Sequence, residues 1–348
     1  MSDPPLRLLN TPELPARRNL ALTEALLQGG GELLRLQRFP RCALIGAHQN
    51  LAAELDLPWC AANNVEIARR MTGGGAITME PGILGWELIL HRRRLPAGLS
   101  EATALLCRAA AAGLATLGVA AEFRPRNDIV VDGRKLGGTG GYFDADRLLF
   151  QGTVLIDPDL AFMAQALRLP RGKLSRAQTP SLAQRTTSLA RELGRTITAD
   201  EGAQAIAAGF AEALRRTLSP DEIHDHEWQA ATTLHDHHIG TDAFVHGADL
   251  HPIATAADAI AMIATPAAVI EATLRHRAGH IVQARLNGDM FITPPRIVAD
   301  LEATLAGVPL AAAEARARAF LAATGATMLG GDVMQLAQAV AAAVAEAT

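Results

Sequence analysis

At 348 residues the chain has room for two domains, and 49% apolar against 20% charged residues excludes a disordered chain. A formal net charge of −4 excludes the basic footprint of a general nucleic-acid binder. Three cysteines (Cys42, Cys60 and Cys107), odd in number and irregularly spaced, suit a reducing compartment and no disulfide framework. The start lacks a basic segment leading into an apolar core, and nowhere do about 18 apolar residues run unbroken. The expectation is a soluble cytoplasmic protein with neither membrane nor nucleic acid as partner.

Residues 19–27 have helical spacing and stop at Gly29-Gly30-Gly31. Residues 33–39 and 42–46 read as strands separated by Pro40, and the loop that follows carries His48, either a ligand contact or a structural group. The next informative stretch is Arg69-Arg70-Met71-Thr72-Gly73-Gly74-Gly75-Ala76-Ile77. Its glycines admit close approach of a ligand, and their N–H groups beside Arg70 make an anion-binding concavity. The Gly-Lys-Ser/Thr ending of a Walker A loop and the spacing of a dinucleotide fingerprint are both missing. A glycine-rich hairpin without a ligand is the alternative. Residues 86–91 read as a strand, and 100–117 as a helix capped by Ser100 and stopped by Gly118.

Arg126-Asn127-Asp128-Ile129-Val130-Val131-Asp132-Gly133-Arg134-Lys135-Leu136-Gly137-Gly138 reads as a hairpin, because Asp132-Gly133 suits a type I′ turn with φ > 0 at both positions. Pairing outward from that turn sets Val131 against Arg134, Val130 against Lys135 and Ile129 against Leu136. Asp128, Val130, Lys135 and Gly137 then share one side. A lysine on a stiff strand beside bare glycine backbone is suited to grip a phosphate, or else it is a solvated surface lysine. Residues 148–156 form a further strand with Gln151 and Thr153 on one face. Strands with helices inserted irregularly, and no βαβ repeat, indicate an α+β domain.

From residue 159 the pattern turns helical, with helices over 160–167, 181–193 and 200–218, the last capped at Asp200. Lys173 lies in a polar loop, 171–178, placed either to close over a site or to remain plain surface. Residues 224–251 hold seven histidines (His224, His226, His235, His237, His238, His246 and His251) without an HExxH or CxxC companion. They read as a solvated helix face and linker in preference to a metal site. Residues 242–258 look like an interdomain linker. Beyond them, 280–286 reads as a strand entering an Asn287-Gly288 turn, with 289–292 as its partner. Helices over 296–305, 311–324 and 333–347 complete a small α+β unit poor in reactive side chains.

Taken together, these pieces resemble lipoate–protein ligase, a member of the biotin/lipoate ligase superfamily. The run Arg69–Ile77 resembles that family's lipoate-binding loop. Asn127-Asp128 with Gly133-Arg134-Lys135 resembles its adenylate-binding hairpin, with Lys135 at the position of the family's lysine. Gln151-Gly152-Thr153-Val154-Leu155 resembles the strand after that lysine, where the family usually has histidine before Gly-Thr. The resemblance implies an α+β fold: a catalytic domain with a mixed or antiparallel sheet over 1–245, a linker over 246–260 and a small accessory domain over 261–348. It also implies ATP-dependent activation of lipoate to lipoyl-AMP and transfer to a lysine of an acceptor protein domain. Lys135 would be catalytic. Arg70, Gly73, Gly74, Gly75, Ala76, Asn127, Asp128, Gly137, Gly138 and Thr153 would bind lipoate or lipoyl-AMP, and Asp128 would also serve Mg2+. Two departures stand out: Met79-Glu80 replace the usual His-Asp, and Gly85-Trp86-Glu87-Leu88 resembles ligases tied to lipoylated proteins of sulfur oxidation. The biotin ligases' Gly-Arg-Gly-Arg loop is missing. A lipoyl or octanoyl transferase, working through a cysteine thioester or without a cysteine, and a non-catalytic lipoate-binding protein are the alternatives on the same fold.

Overall fold

The computed structural model describes residues 4–168, 181–247 and 258–347. Its main element is an eight-stranded mixed sheet in the order Leu218–Asp221, Leu6–Glu13, Leu33–Arg38, Ile83–His91, Arg147–Leu155, Arg134–Asp144, Asp128–Val131 and Glu122–Arg124. The first three run parallel and the rest antiparallel. A second sheet, Glu66–Arg69, Cys42–Ile45 and Ile77–Met79, carries the tri-glycine stretch between its parallel and antiparallel partners. This is the α+β architecture expected.

Two alanine-rich helices, Leu99–Ala115 and Ala199–Leu214, pack with the sheet residues Trp86, Phe150 and Leu136 into one core cluster, removing a large apolar area from water. A separate cluster is built from residues 259–343: the three-stranded sheet Ala259–Ala264, Val269–Arg277 and His280–Gly288 under the helices Ile297–Leu305, Ala313–Thr324 and Gln335–Ala347. Phe291 and Leu329 leave that unit and join the first cluster. No helix among the described residues is long and apolar enough to cross a membrane.

The Asp132-Gly133 turn forms with φ of 48° and 72°, and Val131 pairs with Arg134 and Val130 with Lys135. Ile129, however, faces Gly137 rather than Leu136: a bulge places Leu136 in the core and brings Gly138 opposite Asp128. Gly138, not Gly137, therefore shares the face of Lys135. Other expectations also shift. The helix expected over 100–117 spans Leu99–Ala115 and starts at Gly98 without a side-chain cap from Ser100. That over 181–193 breaks into Leu182–Arg185 and Leu189–Leu193, because Thr186 bridges to Lys135 and the Thr187 N–H donates to the Lys135 carbonyl at 2.9 Å. That over 200–218 begins under a Thr198–Glu201 capping box, not at Asp200, and ends where Arg215 turns left-handed, freeing Leu218–Asp221 to pair as a strand.

Asn287-Gly288 does not make a hairpin. The turn is at Ala278-Gly279, with φ of 50° and 74°, and joins Val269–Arg277 to His280–Gly288. The Asp289 carboxylate instead accepts the Val269 N–H at 2.7 Å, and Ile292–Thr293 pairs with Thr327–Met328. Within the expected linker Asp242–His246 is helical, while most of the remainder, and the Lys173 loop, lie outside the described residues.

Candidate active site

A single cleft of about 1120 Å³ is lined by every residue that the resemblance assigned to the site, from Arg70 and the tri-glycine bend to Lys135 and Thr153. One part of its wall is apolar: Leu20, Phe39, Met79, Ile83 and Leu155 belong to one contiguous core cluster and face the cleft. Another part is charged, supplied by Arg124, Arg126, Asp128 and Lys135 of the hairpin region.

The Lys135 ammonium lies 2.8 Å from Asp128 Oδ1, and the Arg124 guanidinium lies 2.7 Å from Asp128 Oδ2. Burial works against ionisation of Asp128, yet Lys135 and Arg124 together hold its carboxyl below the usual carboxylate range. The bulge lets the ammonium lie over Gly138, where an added Cβ would be 2.8 Å from Nζ. The Asn127 side-chain amide donates to the Thr139 carbonyl, and the Asn127 carbonyl accepts the Thr139 N–H at 2.8 Å, which fastens the loop entering the hairpin to the glycine-rich strand. Gly138 N–H and Thr153 Oγ1 lie 3.4 Å apart.

Across the cleft, Arg70 donates to the carbonyls of Leu44 at 3.0 Å, Gly73 at 3.2 Å and Gly75 at 2.8 Å. It ties the tri-glycine bend from inside, and its hydrogen bonds among the described residues go to carbonyls. Burial takes its guanidinium down to about 10, so it is still a cation at neutral pH. Arg126 Nη1 is buried without a hydrogen-bond partner and lines the same cleft.

The C-terminal unit completes the wall, which sequence reasoning missed. Gly74, at φ of 90°, donates its N–H to the Met290 carbonyl at 3.3 Å. A Cβ added at Gly74 would come within 2.3 Å of the Phe291 ring, and one at Gly140 within 2.1 Å. The ring thus rests on two bare backbones at once, one from the bend and one from the central sheet. Arg124, Arg126 and Phe291 are the functional candidates absent from the sequence reading. Only their position beside Asn127-Asp128 offered a signal for the two arginines.

The family model for the lipoyl protein ligase A/B catalytic domain matches residues 15–211. The chain belongs to the lipoyl protein ligase A/B catalytic domain family. Octanoyltransferase LipM of Symbiobacterium thermophilum is 31% identical over 266 residues, covering 68% of this chain and 96% of that protein. The solved structure of a lipoate-protein ligase A bound with ATP is 26% identical, with a TM-score of 0.62 over 70% of this chain and 99% of that one. LipL1 of P. falciparum, solved in complex with lipoate, aligns with a TM-score of 0.72 over 93% of this chain and 95% of its own, at 18% identity, and shows the fold alone. The family therefore includes both ligases and transferases.

Within this lipoyl protein ligase fold the three cysteines are all buried, and none lines the cleft. Burial pushes all three thiols up, Cys107 to about 12 even with Thr139 Oγ1 3.2 Å away. Glu80 accepts the Asp159 N–H at 2.8 Å and caps the turn after the Arg147–Leu155 strand, while Met79 adds to the apolar wall. His48 is pushed down to about 4 by burial and by Arg69; it stays neutral and does not line the cleft. Among the remaining described histidines His224 and His226 come together with Glu227, whose carboxylate also pairs with Arg7 at 2.7 Å.

Proposed function

We propose that the protein is an ATP-dependent lipoate–protein ligase, with residues 1–245 as the catalytic domain, 246–260 as linker and 261–348 as the accessory domain. The observation that carries this reading is the pairing, in one cleft, of a lysine cation on a stiff ribbon with a bend of bare backbone, while every thiol is buried elsewhere. A transferase working through a cysteine thioester needs an accessible thiolate; a ligase needs positive charge at a phosphate and an acyl oxygen. The ATP-bound relative supports the nucleotide.

In the first step a lipoate carboxylate oxygen attacks the α-phosphorus of ATP. The P–O bond to the β-phosphate breaks, and pyrophosphate leaves. Lys135 stands where it can neutralise both the incoming carboxylate and the α-phosphate, and Asp128 with Arg124 fixes its ammonium. Arg70 and the bend would hold the acyl head, and Arg126 Nη1 offers a vacant donor to the pyrophosphate. The apolar wall would take the acyl tail and dithiolane. In the second step the acceptor lysine amine attacks the acyl carbonyl, its proton departs, and AMP leaves. Gly138 N–H and Thr153 Oγ1, which line the cleft 3.4 Å apart, would be the polar groups offered to the reacting carbonyl. Neither step needs an acyl-enzyme, so positioning and charge stabilisation supply the rate.

Magnesium fits as a companion of ATP. Asp128 offers one carboxylate whose oxygens retain free lone pairs beside their cation contacts, and one carboxylate plus phosphate oxygens is an ordinary Mg2+ set. When bound it would spread the charge of the pyrophosphate. The acceptor is a lipoyl-acceptor protein domain, and the Gly85–Leu88 motif favours one of sulfur oxidation. Mass spectrometry of candidate acceptor domains incubated with the protein, lipoate and ATP tests this reading: a lipoyl mass on one lysine, dependent on ATP, is expected. Equal labelling without ATP would overturn it.

A further inference from the structure

One row of residues crosses the sheet from the core to the cleft. Register places Arg35 opposite Glu87, Glu87 opposite Gln151, and Gln151 opposite Gly140 on four adjacent strands. Arg35 and Glu87 have 0% side-chain exposure, with Arg35 Nη1 2.9 Å from Glu87 Oε1. The other Glu87 oxygen accepts from the Thr23 hydroxyl at 2.7 Å and from Gln151 Nε2 at 3.0 Å. A carboxylate held by arginine can only accept, so it dictates that the Gln151 NH2 turns inward and its carbonyl outward. That carbonyl, Oε1, accepts from the Thr72 hydroxyl at 3.2 Å. Thr72 is buried and directly precedes Gly73.

We propose that Gln151 is a positioning residue: the buried Arg35–Glu87 pair fixes its amide so that Thr72, and with it the tri-glycine bend, is held in the place that receives the acyl substrate. Among the described residues the bend's other anchors are backbone contacts, the Phe291 ring packed on Gly74, and Arg70, which reaches only carbonyls. The Gln151–Thr72 bond is therefore its side-chain hydrogen bond to the central sheet. The proposal rests on the assignment of the bend to the acyl head. It gives a role to Glu87 of the Gly-Trp-Glu-Leu motif and to the glutamine that stands where the family usually has histidine.

The test is lipoate binding by calorimetry on the full chain, with the wild type measured at each pH. Thr72→Val, which keeps shape and loses the hydroxyl, is expected to weaken binding about tenfold, the size of one hydrogen bond, while Thr72→Ser stays within about twofold of wild type. Gln151→Glu sets a second carboxyl against Glu87, and two carboxyls that close share one proton. Protonated, the introduced carboxyl reproduces the glutamine: it donates inward and keeps a carbonyl toward Thr72. The other groups facing this pair are Arg35 from the neighbouring strand and Tyr142, whose hydroxyl burial keeps protonated. Both hold their charge state between pH 8 and pH 6. The affinity of Gln151→Glu relative to wild type is thus expected to rise at least about tenfold from pH 8 to pH 6. A flat ratio, or Thr72→Val binding as wild type does, overturns the proposal. If Gln151→Glu does not fold, the Thr72 pair decides. Absence of lipoate binding by the wild type would overturn the assignment of the bend as well.

Discussion

Replacing Lys135 by alanine separates a catalytic loss from a structural one. The Lys135 side chain is 41% exposed and its partner Asp128 22% exposed, so their ion pair is screened and contributes no more than about 1 kcal/mol to folding. Asp128 keeps Arg124 at 2.7 Å, and the carboxylate is not left stranded. For a chain of this length that is a shift in Tm of about 4 °C at most. Catalysis faces a different arithmetic. If Lys135 meets charge that develops between carboxylate and α-phosphate, its removal costs about a hundredfold or more, roughly 2.7 kcal/mol. The assay is single-turnover formation of lipoyl-AMP beside a thermal melt. The expected pair of results is a Tm within those few degrees and adenylation down at least about a hundredfold. Turnover near wild type would refute the role given to the lysine. A collapse of Tm parallel to the activity would show instead that the ribbon depends on it.

Gly140→Ala places a methyl 2.1 Å from the Phe291 ring. Overpacking of that kind costs about 1–3 kcal/mol, and Phe291→Ala in the same chain is expected to recover part of it, so that denaturant melts of the double-mutant cycle come out non-additive. Additive losses would mean that the ring does not rest on the glycine. Asp128 titrates below its unfolded value, so its stabilising contribution is complete above about pH 3.9 and disappears as the pH falls through the lower folded value. The stability gap between wild type and Asp128→Asn, measured by urea melts, should accordingly narrow from pH 7 to pH 3; a constant gap contradicts the depressed value. Because burial raises all three thiols, treatment of the native protein with N-ethylmaleimide at pH 7 should leave adenylation unchanged. Stoichiometric alkylation with loss of activity would return a cysteine to the mechanism.

The parts of the fold that could be read from the chain are those decided by neighbours in sequence. Asp132-Gly133 makes its turn because both residues tolerate positive φ, and the two arginines before three glycines announce a bend that only bare backbone can make. Asn287-Gly288 carries the same kind of signal and misleads, because Gly288 gives its N–H to the His48 carbonyl at 2.9 Å and Asp289 is drawn to Val269. Contacts between distant segments outweighed the dipeptide. The bulge at Leu136 was hidden for a related reason: that side chain is claimed by the core under the sheet, and no local pattern marks it. Phe291 belonged by sequence to an inert terminal unit, and only its seat on Gly74 and Gly140 brings it to the site. Glu87 was legible as a motif but not as a partner, since Gln151 meets it from the neighbouring strand, distant in sequence.

The most direct test leaves out the acceptor. Protein incubated with lipoate and ATP alone is followed for pyrophosphate, for lipoyl-AMP and for its own mass. The account predicts lipoyl-AMP and pyrophosphate in equal amounts, with the protein's mass unchanged. An acyl group added to a cysteine in the absence of ATP, with no pyrophosphate released, would contradict it.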